Sequence, residues 1–360
     1  MHFVRHSLLL SALLLLTGCA LPGLSVPGLQ LLVCIALLGL LVNCRPLLDE
    51  NRLNEFWLRR LLLEDSGSGG SSGPVCTGTQ DYTQSFDLSL VDPATAGFGF
   101  TITREDPSHD FGWTVAGGGD FNGDGIGDIL VGGYRLGSNT AGRVYVLFGV
   151  EGAGADIATA GMATTTGITI DGSATGDYLG KRAQTLDFAG DVNGDGFDDI
   201  IVGTYYALGM TGSAFLIYGS ASPGNVDLSA YTATVAARFD GAGGNYYAGY
   251  SAAGLGDVNG DGLDDFAIGH KYGTNDYGEV NVVFGTTSTF TSPVLTSAIT
   301  GSAGFTVNGD GTGSYMGSSV SPAGDLNGDG LADVLLGAYG VNGRGAGYVI
   351  YGQSGFPTSI

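Results

Sequence analysis

A chain of 360 residues holding 35 acidic and 13 basic side chains carries a formal charge of −22. That balance excludes a nucleic-acid surface and favours cations or basic partners. Glycine is abundant at 66 residues, but no every-third-residue period accompanies it, which excludes collagen.

The first 19 residues, MHFVRHSLLLSALLLLTGC, combine a basic start, an apolar run from Ser7 to Leu16 and small residues before Cys19. This is the pattern of a signal peptide. Leu16-Thr17-Gly18-Cys19 resembles the bacterial lipobox, and that resemblance implies lipidation of Cys19. A second apolar run, Leu29 to Val42, has 14 residues, short of the ~20 that a spanning helix needs. It can lie in the interface, pair with the first run or pack on a partner. Residues 46–65 read as a helix with Leu53, Phe56, Trp57, Leu61 and Leu63 on its apolar side. Its arginines suit either a membrane surface or a packed stalk. Residues 20–65 are therefore an anchor or stalk that ties the chain to a membrane, and the Gly/Ser stretch at 66–75 is a flexible linker. The folded domain spans 76–360. All four cysteines precede the repeats described next and none forms C-x-x-C, so zinc has no support.

One acidic phrase then returns four times: GDFNGDGIGD, GDVNGDGFDD, GDVNGDGLDD and GDLNGDGLAD. Their first aspartates, Asp120, Asp191, Asp257 and Asp325, stand 71, 66 and 68 residues apart. Before each phrase comes an aromatic and a glycine (DFG, DYLG, YYAG, SYMG). Each unit closes on a strand such as RVYVLFG or AFLIYG. In the first unit four short strands fall near Trp113–Gly118, Ile129–Gly133, Arg143–Phe148 and Gly167–Ile170. Four strands in a unit of this length make a blade, and the fold class is an all-β β-propeller. Small residues in TVAGGG and YSAAGLG suit a crowded inner strand. Extra residues at TLDF predict a bulge or a widened loop in the second unit.

These phrases resemble the FG-GAP repeat family, the calcium-binding blades of integrin α-subunit propellers and of many bacterial surface proteins. The resemblance runs from about Phe111 to Gly352, with GGY, GTY, GHK and GAY replacing the family's second motif. The family's usual ring has seven blades. Here the amino-terminal strand GFGFTITRE can complete the last of four blades and close the ring, or insert into another copy.

Alternating Asp-x-Asn-x-Asp-Gly turns oxygens toward a common centre, and hard oxygen ligands in a flexible loop suit Ca²⁺ better than Mg²⁺. The resemblance implies a backbone carbonyl at position seven and a bidentate carboxylate at position nine. It assigns four calcium sites. Site one is Asp120, Asn122, Asp124, Ile126 and Asp128. Site two is Asp191, Asn193, Asp195, Phe197 and Asp199. Site three is Asp257, Asn259, Asp261, Leu263 and Asp265, and site four is Asp325, Asn327, Asp329, Leu331 and Asp333. A plain turn would need neither the first nor the ninth aspartate. Asp198 and Asp264, at position eight, are expected to face solvent.

No G-x-S-x-G, H-E-x-x-H or phosphate-cradling loop is present, and His109 and His270 read as loop residues rather than bases. The expectation is a calcium-stabilised, surface-anchored binding, adhesion or assembly module for a protein or glycan. Two other readings stand beside it: a polysaccharide-active lyase or hydrolase scaffolded on the propeller, and a structural protein that self-associates by strand exchange.

Overall fold

The apolar run after each acidic phrase is too short for a helix and rich in β-branched and aromatic residues, so it pairs into a sheet. The computed structural model describes residues 99–104, 110–135, 141–151, 155–181, 184–273 and 276–356. These belong to one compact unit, Ser85–Ile360. Cys19, both apolar runs, the 46–65 helix, the linker and His109 lie outside the described residues.

Each unit builds one antiparallel sheet. Blade one is formed by β2 (Thr114–Gly117), β3 (Ile129–Gly133), β4 (Arg143–Leu147) and β6 (Gly167–Asp171). Blade two is formed by β7 (Leu186–Gly190), β8 (Asp199–Thr204), β9 (Ser213–Ile217) and β11 (Ala236–Asp240). Blade three uses β12 (Ala248–Gly256), β13 (Asp265–His270), β14 (Glu279–Val283) and β16 (Gly304–Asn308). Blade four has three strands among the described residues, β17 (Met316–Gly324), β18 (Asp333–Ala338) and β19 (Ala346–Ile350). The strands expected in the first unit match these within a residue or two. The described residues form an all-β propeller fold.

Two-residue strands tie the blades at their outer edges. β10 (Val226–Asp227) runs parallel to β6 of the blade before it, and β15 (Val294–Leu295) runs parallel to β11. In the same way β5 (Ile157–Ala158) pairs with β1 (Ile102–Thr103), the amino-terminal strand. β1 thus sits where the outer strand of a preceding blade belongs, and it does not pair with β19.

Between blades the packing is apolar. Leu130, Val144, Val146, Ile200, Val202 and Phe215 fill the first junction. Ile201, Leu216, Phe239, Phe266 and Ile268 fill the second, and Ala267, Val282, Phe305, Val334 and Leu336 fill the third. Alternate residues of one strand point to opposite junctions, which is why these strands are apolar throughout. The inner strands are small for a steric reason. A Cβ at Gly254 would collide with the carbonyl oxygen of Phe188 in the neighbouring blade. The bulge expected in the second unit is present between Phe188 and Gly190, but it is not special to that unit. Matching irregularities lie at Gly254/Gly256 and Pro322/Gly324, so in blades two, three and four the bulge is part of how the inner strand enters its acidic loop, while β2 of blade one pairs without one.

Candidate metal sites

Each acidic phrase links the inner strand to the second strand of its blade and folds the same way. Glycines at positions four and six hold positive φ, as at Gly194 (+75°) and Gly196 (+90°), a region that side chains resist. That bend turns backbone N–H groups onto the first aspartate. Asp191 Oδ1 accepts from Gly194 and Asp195 (2.8 and 3.0 Å), and its Oδ2 accepts from Gly196 (2.9 Å). Asn193 Oδ1 accepts from Asp195 N–H (2.8 Å), while its Nδ2 donates to Asp195 Oδ2 (3.0 Å). Asp325, Asn327 and Asp329 repeat the pattern. So do Asp257, Asn259 and Asp261. Asp120, Asn122 and Asp124 share all of it except the position-four bond.

The ninth residue behaves differently from the first five. Asp128, Asp199, Asp265 and Asp333 are buried. Each spends one oxygen on the N–H of position two and the other on a glycine N–H after the third strand. For Asp265 these are Val258 and Gly285, both at 2.8 Å. For Asp333 they are Leu326 (2.7 Å) and Gly352 (2.9 Å). Asp128 and Asp199 do the same. Burial pushes the carboxyl of Asp199 up to about 8 and that of Asp265 up to about 7, against the backbone N–H bonds that oppose it. The like charges of positions one and five, Asp191 with Asp195 and Asp257 with Asp261, push in the same direction as burial. Burial likewise raises Asp128. Three carboxylates in one another's field, with an amide oxygen beside them, offer only oxygen donors, the chemistry that suits a hard divalent cation. Among the described residues no three His, Cys, Asp or Glu side chains converge to metal-ligating distance. The ninth aspartate faces its backbone partners and keeps one lone pair on each oxygen for any ion.

Residues seven and eight serve the junctions. The Phe197 ring lies over Gly123 of the preceding loop, and Leu263 and Leu331 lie in the same way over Gly194 and Gly260. Ile126, at the same position in loop one, covers no such glycine and lies beside Gly149 of its own blade. The expectation that Asp198 and Asp264 face solvent is corrected here. Both are partly buried. Asp198 Oδ2 accepts the N–H of Asp120 (2.7 Å), and Asp264 Oδ2 accepts that of Asp191 (2.9 Å). Each therefore fastens one loop to the next. Their neighbours on the chain hid this, because the partner lies more than seventy residues away.

The opposite edge of the sheets carries a feature that sequence reading missed. Trp113, Tyr134, Tyr178, Tyr206, Tyr205, Tyr247, Tyr272, Tyr315 and Tyr339 touch in succession, with ring centroids 4.5–6.2 Å apart. Lys181 lies over Tyr178 and Tyr206 (4.3 and 4.2 Å), and Lys271 over Tyr250 and Tyr272 (5.1 and 5.0 Å). Tyr178, Tyr247 and Tyr315 take positive φ of 53–58°, each two residues before a positive-φ glycine. Such strain at three equivalent places needs surrounding structure to hold it. The aromatic-and-glycine signposts were the available signal.

His270 is no loop residue. It ends β13 fully buried. Burial, opposed by Asn281, lowers its pKa to about 4, although neither ring nitrogen is paired in good hydrogen-bonding geometry.

With the geometry in view, comparison with known proteins is specific. The FG-GAP repeat pattern matches residues 111–147, 185–217 and 316–350, the loops and first three strands of blades one, two and four. Integrin alpha pat-2 of Caenorhabditis elegans is 34% identical over 189 residues, and its Caenorhabditis briggsae counterpart is 31% identical over 189. Those alignments cover 49% of this chain and 14% of either integrin, so the chain spans a small part of the relatives it matches.

Proposed function

We propose, from the premise that the chain is built of FG-GAP repeats, that it is an extracytoplasmic binding or adhesion module fastened by four calcium ions. The amino-terminal segment would hold it at a membrane surface, with Cys19 as the lipid attachment point. Its partner would be a protein or glycan, and nucleic acid would be repelled by the charge. The observation that carries this reading is the fourfold recurrence of one oxygen-lined loop in one conformation. The residues that would hold the ion are Asp120, Asn122, Asp124 and Asp128 with the Ile126 carbonyl, and the matching five in each later loop. An ion there would neutralise three crowded carboxylates and tie the first and second strands of its blade together. The aromatic rim, at the other edge of the sheets, would remain open to a ligand.

Extracellular calcium modules bind at about 10⁻⁴–10⁻³ M. At ~1 mM ion and ~0.1 mM affinity each site adds about 1.4 kcal/mol, and four approach ~6 kcal/mol. Chelation is expected to lower the melting temperature by roughly 10 °C or more, read by calorimetry with ion removal verified. An unchanged curve overturns the calcium reading. A glycan and extracellular-protein array, probed with and without calcium, tests the binding role. Saccharide turnover without capture would favour the polysaccharide-active enzyme instead.

A further inference from the structure

The three internal junctions share one set of plugs and sockets. A residue at position eight donates its N–H to the carbonyl of position one in the preceding loop: Asp198 to Asp120 (3.0 Å), Asp264 to Asp191 (3.3 Å), Ala332 to Asp257 (2.9 Å). The residue next to the glycine that follows each third strand donates to the carbonyl of position two: Ser220 to Phe121 (3.0 Å), Thr286 to Val192 (2.8 Å), Gln353 to Val258 (2.9 Å). Position seven plugs the position-four glycine. Under this cover Phe121, Val192 and Val258 are at most 1% exposed.

Blade four presents the same sockets uncovered. Leu326, the counterpart of Val258, is 59% exposed, and nothing lies within 4 Å of a Cβ built on Gly328. Leu335 and Val349 are 43% and 44% exposed, while their counterparts Ala267 and Val282 are at 0%. Blade one presents the matching plugs unused. Val150, the counterpart of Gln353, is 61% exposed, and Gly127 holds position eight. A hollow of about 550 Å³ lined by Ile126, Leu147 and Met162 opens on that side. β1, an outer strand without a blade of its own, lies there as well. Yet among the described residues no hydrogen bond or shared core joins blade four to blade one.

We propose that blade four of one copy docks on blade one of a second copy, head to tail, through a fourth edition of the internal junction. Ile126 of one copy then covers Gly328 of the other, and β1 takes the outer-strand position beside β19. Because the two surfaces differ, the contact is heterologous and closes only if the rotation allows.

The test uses the full chain in mild non-ionic detergent with calcium, with the four native cysteines changed to serine. Val150→Cys chains and Leu326→Cys chains, carrying different tags, are mixed and oxidised. The expected result is a disulfide-linked species bearing both tags. Adding Leu335→Asp and Val349→Asp to the second chain should cut that product at least tenfold without moving the melting curve. If the mixture gives no cross-link, the proposal fails. An internal disulfide in the Val150→Cys/Leu326→Cys double variant would then assign the contact to ring closure within one chain.

Discussion

Blades three and four repeat one phrase, and their loops superimpose hydrogen bond for hydrogen bond. Asp257 and Asp325 accept from the same three N–H groups, at distances that agree within about 0.1 Å. Around the loops the burial differs. Val258 is buried and Leu326 is 59% exposed, while β14 is buried throughout and β19 alternates with exposed residues. The contrast teaches that loop conformation is a local property, carried by glycine and Asx chemistry within ten residues. Burial of a blade's face belongs to its neighbour.

The largest way to break the comparison is through the ninth aspartate, because there both blades depend on a buried carboxylate with two backbone partners. Asp265→Ala should cost roughly 3–5 kcal/mol in denaturant unfolding, by leaving the Val258 and Gly285 N–H groups unpaired. Asp261→Ala, on an exposed neighbour, should cost within ~1 kcal/mol once calcium is removed. Equal losses would mean that the ninth residue has no scaffold role.

Next in size is His270, which has Ala338 as its blade-four counterpart. Its folded pKa of about 4 lies below the ordinary 6.5, so the fold holds the neutral imidazole. That contribution is complete above pH 6.5 and is lost as pH falls toward 4, by roughly 3 kcal/mol at the lower end. A His270→Gln chain should lose correspondingly less stability between pH 6.5 and 4. Parallel pH profiles for the two chains would remove the histidine from the account.

The smallest expected effect sharpens the contrast most directly. Val282→Ala should cost about 2 kcal/mol, because it opens a cavity between blades three and four. Val349→Ala, at the equivalent place on β19, should stay within ~0.5 kcal/mol in the dissociated chain. A large loss at Val349 would show that its face is covered.

The sequence alone determined the repeat, the blade as its unit and the strands of the first unit within a residue or two. These follow from spacing, from glycines that permit positive φ, and from side chains that reach only their own backbone. Tertiary structure decided the rest. It turned Asp199 and Asp265 inward, made Asp198 and Asp264 fasteners between loops, buried His270, and ran tyrosines from four blades into one rim. It also left Leu326 and Val349 bare where Val258 and Val282 are covered. In each case the deciding partner lies in another strand or another blade, tens of residues away. Contacts of that kind depend on how sheets stack, and no local pattern of residue types records them.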